Sequence, residues 1–477
     1  MSASKIVAKF GVVMILTTLM VAQGKQPARG KDSHPPKAAD VGHGERPGQQ
    51  RDPQIVAAMQ KVSVEKLKEH DENLVSFGTR HTLSVTLPAD SPRGVMRAAE
   101  WIKSQFESYS KACGGCLEVK TQTETQEVSD RIPEPTPITN VYAVLKGTDP
   151  ESAKRIIVIT AHYDSRNSET NDIEKPAPGA NDDASGTILV METARVLSQY
   201  KFPATILFVT EAGEEQGLYG AKHFAKMAKA EGWNIQADLN NDIVGGDKSP
   251  GQDPTKVRVF SEGIPMTATP QEVRRIRALG EENDSPSRQI ARYITEVGKT
   301  YSAGPGFQPV MIYRPDRYLR GGDHLAFNEQ GFPAVRFTEW RENFNHQHQT
   351  PRTENGIEYA DLPKFVDFDY VARVAKLEVA VLASMASAPA PPENVKMLTR
   401  NLDNNTELSW EPSPGGRVAH YEVVWRSTIL PDWSDSKNVG TETTATLPIS
   451  KDNVVFGVRA VDAKGHKSPV VTPTPAR

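Results

Sequence analysis

Acidic and histidine residues recur at the ends of apolar runs along this chain. His162 and Asp164 close RIIVITAHYDS, Asp182 and Asp183 sit in GANDDASG, Glu214 and Glu215 follow ATILFVTEAG, and Asp242 closes IQADLNND. Carboxylates and imidazoles together form a mixed nitrogen/oxygen donor set, which suits zinc. His162 would ligate as a neutral imidazole. Asp164 lies two residues on, hence on the same side of a strand, and can accept the other ring N–H and fix the tautomer. The two oxygens of Asp182 can serve two metals at once. Glu214 and Glu215 are adjacent and point in different directions, so one can ligate while the other faces a water. Like charges that close are costly unless a cation neutralises them. Asp242 adds a further ligand, and a last imidazole is expected from FNHQHQTPRTENG, where the pattern leaves His346 and His348 open.

These groups need a frame that brings them together. The apolar runs are short, continuous and rich in Ile and Val, which reads as buried parallel strands. In open α/β sheets, functional groups sit just past the carboxyl ends of such strands, so the clusters are expected on one edge of one sheet. Helical periodicity covers DPQIVAAMQKVSVEKLKEHDENLVSF, with Asp52 as N-cap and Pro53 at the first helical position. Further helices are expected at RGVMRAAEWIKSQFESYS, TILVMETARVLSQY, YGAKHFAKMAKAEG, SPSRQIARYITEVGKTY and DYVARVAKLEVAVLASM, and strands at CLEVKTQTETQEV and TPITNVYAVLKG. The fold class is therefore α/β, a mostly parallel mixed sheet sandwiched by helices.

A chain of 477 residues is too long for one ordinary domain. With 38% hydrophobic and 24% charged residues its bulk is globular, and a net charge of −4 without a basic block past the N-terminal tail argues against nucleic acid. No later segment is apolar for long enough to span a bilayer. Residues 1–24 read as a signal peptide, with Lys5 and Lys9 ahead of an apolar run and small residues Ala22 and Gly24 at its end. That predicts a secreted or periplasmic protein. Residues 25–51 are a flexible tail or propeptide, 52–386 the main α/β domain and 387–390 a Pro-rich linker. The lone CxxC of Cys113 and Cys116 reads as a local disulfide in an exported protein. Residues 391–477 lose helical period, and TELSWEPS, AHYEVVWRS, TTATLPI and NVVFGVRAVDAKGHKS read as the short strands of a β-sandwich.

Two resemblances add to this. AHYDS, GANDDASG, EEQGLYGA, NNDIVGG, GGDHLAFNEQGFPAVRF and HQTPRTEN, in that order, resemble the zinc aminopeptidase family M28, whose members hold a co-catalytic pair of zinc ions. The resemblance covers about residues 52–386. It implies that His162 and Asp242 ligate one zinc, Glu215 and a late His the other, that Asp182 bridges them, and that Glu214 is the general base. It implies a cis peptide bond between Asp182 and Asp183, and it favours His348 over His346. Asp323 and His324 of GGDHLAF would lie beside the cleft, outside the zinc shell. Arg352 and Gln347 stand where the family often has an acid and a Tyr, so the oxyanion donor is unassigned. The spacing of Trp410, Tyr421, the segment from Val458 to Gly465 and Ser468 resembles a fibronectin type III domain, as a spacer or as a contact to polymer or cell surface.

The expected reaction is hydrolysis of the first peptide bond of peptides or proteins with a free N-terminus, a zinc-held water attacking while Glu214 takes its proton. Two alternatives are a single-zinc glutaminyl cyclase, which shares this fold, and a non-catalytic surface-binding protein working through its C-terminal domain.

Overall fold

The computed structural model of the protein describes residues 51–477; the signal-peptide reading and nearly all of the expected tail lie outside the described residues. The first helical pattern forms two helices, α1 (Pro53–Met59) and α2 (Val64–Ser76), because Ser63 caps the second: its side chain accepts from the Lys66 N–H. Asp52 caps the first by accepting from the Gln54 N–H at 2.7 Å. Then come α3 (Val95–Ala112), β1 (Leu117–Gln126), β2 (Thr136–Leu145) and β3 (Arg155–His162). Cys113 and Cys116 are disulfide-bonded between α3 and β1. The chain continues through α4 (Ser185–Leu197), β4 (Thr205–Glu211), the single turn α5 (Glu214–Gly217), α6 (Tyr219–Ala230) and β5 (Asn234–Asn241). Next are β6 (Lys256–Ser261), α7 (Pro270–Leu279), α8 (Pro286–Tyr301), β7 (Gln308–Ile312), α9 (His324–Glu329) and β8 (Ala334–Glu339). A small hairpin of β9 (Arg352–Glu354) and β10 (Ile357–Tyr359) precedes α10 (Phe368–Ser387).

Eight strands form one mixed sheet in the order β1-β2-β4-β3-β5-β8-β6-β7. The centre, β4-β3-β5-β8, is parallel, while β1, β2 and the β6–β8 pairing are antiparallel. Alternate residues of the central strands enter different layers. Ile157, Ile159, Ile206 and Phe208 share a core with α4 and α10, whereas Val158, Leu207 and Val209 pack with Phe224 of α6 and Phe327 of α9. Each such side chain contributes roughly 1.5–3 kcal/mol by leaving water. The helix α10 is buried on nearly every side, with a continuous apolar stretch from Val379 to Leu382, and packs on α1, α4 and α8. From β3 the chain steps to β4 on one side and then to β5 on the other, so the sheet's topological switch point lies at the end of β3. Among the described residues no helix is long and apolar enough to cross a membrane.

After Ala388 the chain is all β: β11 (Glu393–Leu398), β12 (Thr406–Glu411), β13 (His420–Ser427), β14 (Asp435–Asn438), β15 (Thr444–Leu447), β16 (Val454–Val461) and β17 (Thr474–Ala476). They form a four-stranded sheet, β15-β12-β11-β17, and a three-stranded one, β14-β13-β16, around Trp410, Tyr421, Trp425 and Phe456. This sandwich is docked on the α/β body. Ala388 and Ala390 are buried, and Arg155 donates to the Ala388 carbonyl at 2.6 Å. Arg426 grips both oxygens of Asp284 at 2.8 Å, and the fully buried Arg459 joins Glu296 of α8 to Glu422 of β13 at 2.9 and 2.8 Å. Removing one partner of a buried ion pair strands the other charge. Arg459→Met is therefore expected to cost about 3 kcal/mol, read as a lower urea midpoint; an unchanged midpoint would show that Arg459 does not hold the two parts together.

Candidate metal centre

His162, Glu214, Glu215 and Asp242 are set by a strand end or the turn after it, whereas Asp182 and His348 come from longer connections. His162 ends β3, and its ring Nδ1 lies 3.2 Å from the Asp164 carbonyl and 3.4 Å from Asp164 Oδ1. Asp164 does more than face the imidazole. Its carboxylate accepts from the backbone N–H groups of Glu214 and Glu215 at 3.3 Å and from the Thr82 hydroxyl at 2.7 Å. It thus ties the end of β3 to α5. Gly213, at φ +77, makes the turn that starts α5 directly after β4, a backbone conformation that glycine adopts without strain.

The Asp182–Asp183 peptide bond is cis. Asp361 accepts from the Asn181 and Asp182 N–H groups at 2.7 and 2.8 Å. Asp183 is buried, and its carboxylate accepts from the N–H groups of His162, Gly186 and Ile243. These bonds join β3, α4 and the turn after β5. Gly186 permits that approach, since a Cβ there would lie 2.4 Å from the Asn241 carbonyl oxygen.

Two triads result. His162, Glu214 and Asp242 can converge on one cation, and Asp182, Glu215 and His348 on another. Asp182 faces both: Oδ1 is 3.4 Å from His162 Nε2 and Oδ2 is 2.9 Å from His348 Nε2. His348 Nε2 also lies 3.1 Å from Glu215 Oε1. His162 Nε2, Asp182 Oδ2 and Glu215 Oε1 are buried, yet none makes a hydrogen bond of acceptable geometry. Buried polar atoms are nearly always satisfied, so orphaned lone pairs meeting in one place fit a metal ion. His346 is elsewhere: it stacks on Phe365 and pairs with Asp247. Asp323 and His324 join neither triad; His324 Nε2 lies 2.7 Å from the Pro315 carbonyl oxygen.

A family model described as peptidase family M28 matches residues 140–360. A probable zinc metalloprotease of Pyrenophora teres f. teres is 47% identical over 430 residues, which is 89% of this chain and 88% of that protein. The chain belongs to peptidase family M28. A second probable zinc metalloprotease, from Pyricularia oryzae, is 43% identical over 450 residues, 92% of this chain and 88% of that one. The LapA aminopeptidase of Legionella pneumophila has a similar fold, with a TM-score of 0.50 and 22% identity over 71% of this chain and 78% of that one. This M28 member is a metallopeptidase, a hydrolase of peptide bonds.

The electrostatics of this peptidase's site match a cation-binding role. Burial pushes the Asp182 carboxyl up, but His348 and His162 overcome it and hold the group well below the usual carboxylate range. Burial opposes charge on His348, yet Glu215 and Asp182 carry it up to about 10. The acids thus demand positive charge. Glu214 goes the other way: burial pushes it well above the usual range, aided by Asp242 and Glu215 against His162. A carboxyl that readily holds a proton and faces the cleft suits proton transfer.

Four supporting residues escaped the sequence reading. Arg336 of β8, fully buried, places NH2 2.9 Å from Asp242 Oδ1 and NH1 3.2 Å from Asp316 Oδ2. Its signal was a lone cation inside the apolar run PAVRF. Arg80, also buried, donates to the carbonyls of Leu74, Tyr163, Pro178 and Gly179 and so braces the chain before Asp182. Asp361 gave no local signal. Arg166, also unmarked in the sequence, lies 2.8 Å from His348 Nδ1 and 2.9 Å from Glu215 Oε2. Arg352 instead pairs with Glu354 and lies over the Tyr359 ring.

Proposed function

We propose that this M28 peptidase is an exported aminopeptidase that uses two zinc ions to hydrolyse the first peptide bond of peptides or proteins with a free N-terminus. The observation that carries the reading is the pair of triads with Asp182 facing the imidazole of each, and with orphaned donor atoms in their midst. His162 and Asp242 would hold one ion, Glu215 and His348 the other, and Asp182 both. When bound, the ions supply Lewis acidity for the scissile carbonyl and for the attacking water. Glu214 accepts the proton of that water as its oxygen bonds to the carbonyl carbon. The C–N bond then breaks, and Glu214 passes the proton to the leaving amine. Asp164 acts through others, keeping the His162 ring and the start of α5 in register.

The Cys113–Cys116 disulfide supports an oxidising compartment, secreted or periplasmic. The C-terminal sandwich is read as a fibronectin type III domain on its Trp410 and Tyr421 pattern. Its buried ion pairs to the α/β body favour a structural role over surface attachment.

The test is release of product from a leucyl anilide by purified protein, beside its N-acetylated counterpart, with and without chelator. Cleavage of the free amine alone, lost on chelation and restored by zinc, is expected. Equal cleavage of the acetylated compound, or activity indifferent to chelator, would sink the reading.

A further inference from the structure

The cleft over the two triads measures about 310 Å³, at the small end of ligand sites. Groups flanking the scissile bond must therefore meet its walls. Its carboxylates all belong to the triads, whereas four arginines line it: Arg131, Arg166, Arg317 and Arg320. Arg166 is matched by Glu215 at 2.9 Å. The others are not matched one for one. Arg131 is exposed and donates only to the Glu215 backbone carbonyl, at 2.9 Å, with no carboxylate partner among the described residues. Arg317 and Arg320 both lean on Glu342, which is also held by Arg258 at 2.8 Å. Three guanidiniums thus share one carboxylate. Asp316, the other acid near Arg317, is shared with the buried Arg336. Glu342 is only 5% exposed, while the Arg320 side chain is 34% exposed. The acid is behind the wall and the cation at its face.

We infer that this wall recognises a substrate carboxylate next to the scissile bond, making the enzyme selective for acidic peptides; the inference rests on the peptidase reading above. A guanidinium fork pairs with a carboxylate in two parallel hydrogen bonds, and the arginines form a wall of positive charge beside the triads' own acids, which the cations they hold would neutralise. The carboxylate can come from the first residue, the second residue, or the C-terminus of a dipeptide. Three substrate pairs separate these sources: glutamyl against glutaminyl anilide, Ala-Glu-amide against Ala-Gln-amide, and Ala-Ala against Ala-Ala-amide.

In at least one pair the acid is expected to show kcat/KM about tenfold or more above its neutral partner. Arg131→Gln and Arg320→Gln should pull that ratio toward one. Ratios near one in all three pairs, with the peptides cleaved, would overturn the inference and leave the peptidase reading standing. So would a preference that both variants retain. Failure to cleave any peptide would count against the peptidase reading instead. The inference is then decided by calorimetry on Glu214→Gln with the same pairs: tighter binding of an acid supports it, and equal affinities overturn it.

Discussion

Replacing Glu214 by Gln is expected to lower kcat by about a thousandfold while the protein keeps its full metal content. Gln preserves the size of the side chain and an oxygen facing the cleft, but it cannot take a proton from water. The structure makes the metal measurement as informative as the rate. Glu214 lies close enough to His162 and Asp242 to serve as a third ligand of that triad. As a ligand, its replacement would weaken metal binding there, and activity would partly return at high zinc. As a base, its replacement would leave metal in place and no concentration of zinc would restore turnover. Metal analysis of the dialysed variant beside a zinc titration of its activity separates the two.

Asp182→Asn is expected to weaken both metal positions together, by about ten- to a hundredfold each. Among the described residues Asp182 is the one acid paired with an imidazole of each triad, 3.4 Å from His162 Nε2 and 2.9 Å from His348 Nε2. An amide keeps one acceptor oxygen and presents N–H groups where the other was, so one side loses its ligand. Removing the negative charge also leaves two cations closer to mutual repulsion. Competition against a chromophoric chelator reads both affinities. Asp242→Asn is the contrast, since Asp242 belongs to the His162 triad alone and should spare the other position. Loss confined to a single site in Asp182→Asn would remove its bridging role.

The carboxyl ends of β3 and β4 were legible in the sequence because each is a nearly continuous apolar run stopped by an imidazole or acid, with burial on both faces, whereas β5 interleaves Gln236, Asp238 and Asn240 with its apolar residues and was marked chiefly by the acid that follows it. The first helical run was harder. Its periodicity passes through Ser63 without a break, and only the cap hydrogen bond to Lys66 shows that a new helix starts there. The helix α7 buries Ile276 alone, so it carries almost no apolar period; its capping box of Thr269 and Glu272 was the available signal. Strands β6 and β8 carry Arg258 and Arg336 inside otherwise apolar stretches, which hides a strand from a pattern reading.

At the site, residue types and order pointed to the donors, but the support came from far away in sequence. Arg336 meets Asp242, and Asp361 meets Asp182, only after the sheet and the turn before α10 have formed. The two late histidines share one short loop, and a pattern of residue types does not say which way a loop turns. His348, at φ +50, points back toward Asp182 and Glu215, while His346 stacks against Phe365. In the expected linker, residues 387–390, Ala388 and Ala390 are buried and Arg155 donates to the Ala388 carbonyl.

The proposed mechanism needs two ions acting together. Its most direct test strips the protein of metal, adds zinc in measured equivalents and follows leucyl anilide hydrolysis at each step. Activity that climbs to a plateau at two equivalents per chain is the predicted result. A plateau at one equivalent, unchanged by further zinc, would contradict the paired-ion account and turn attention to single-zinc chemistry.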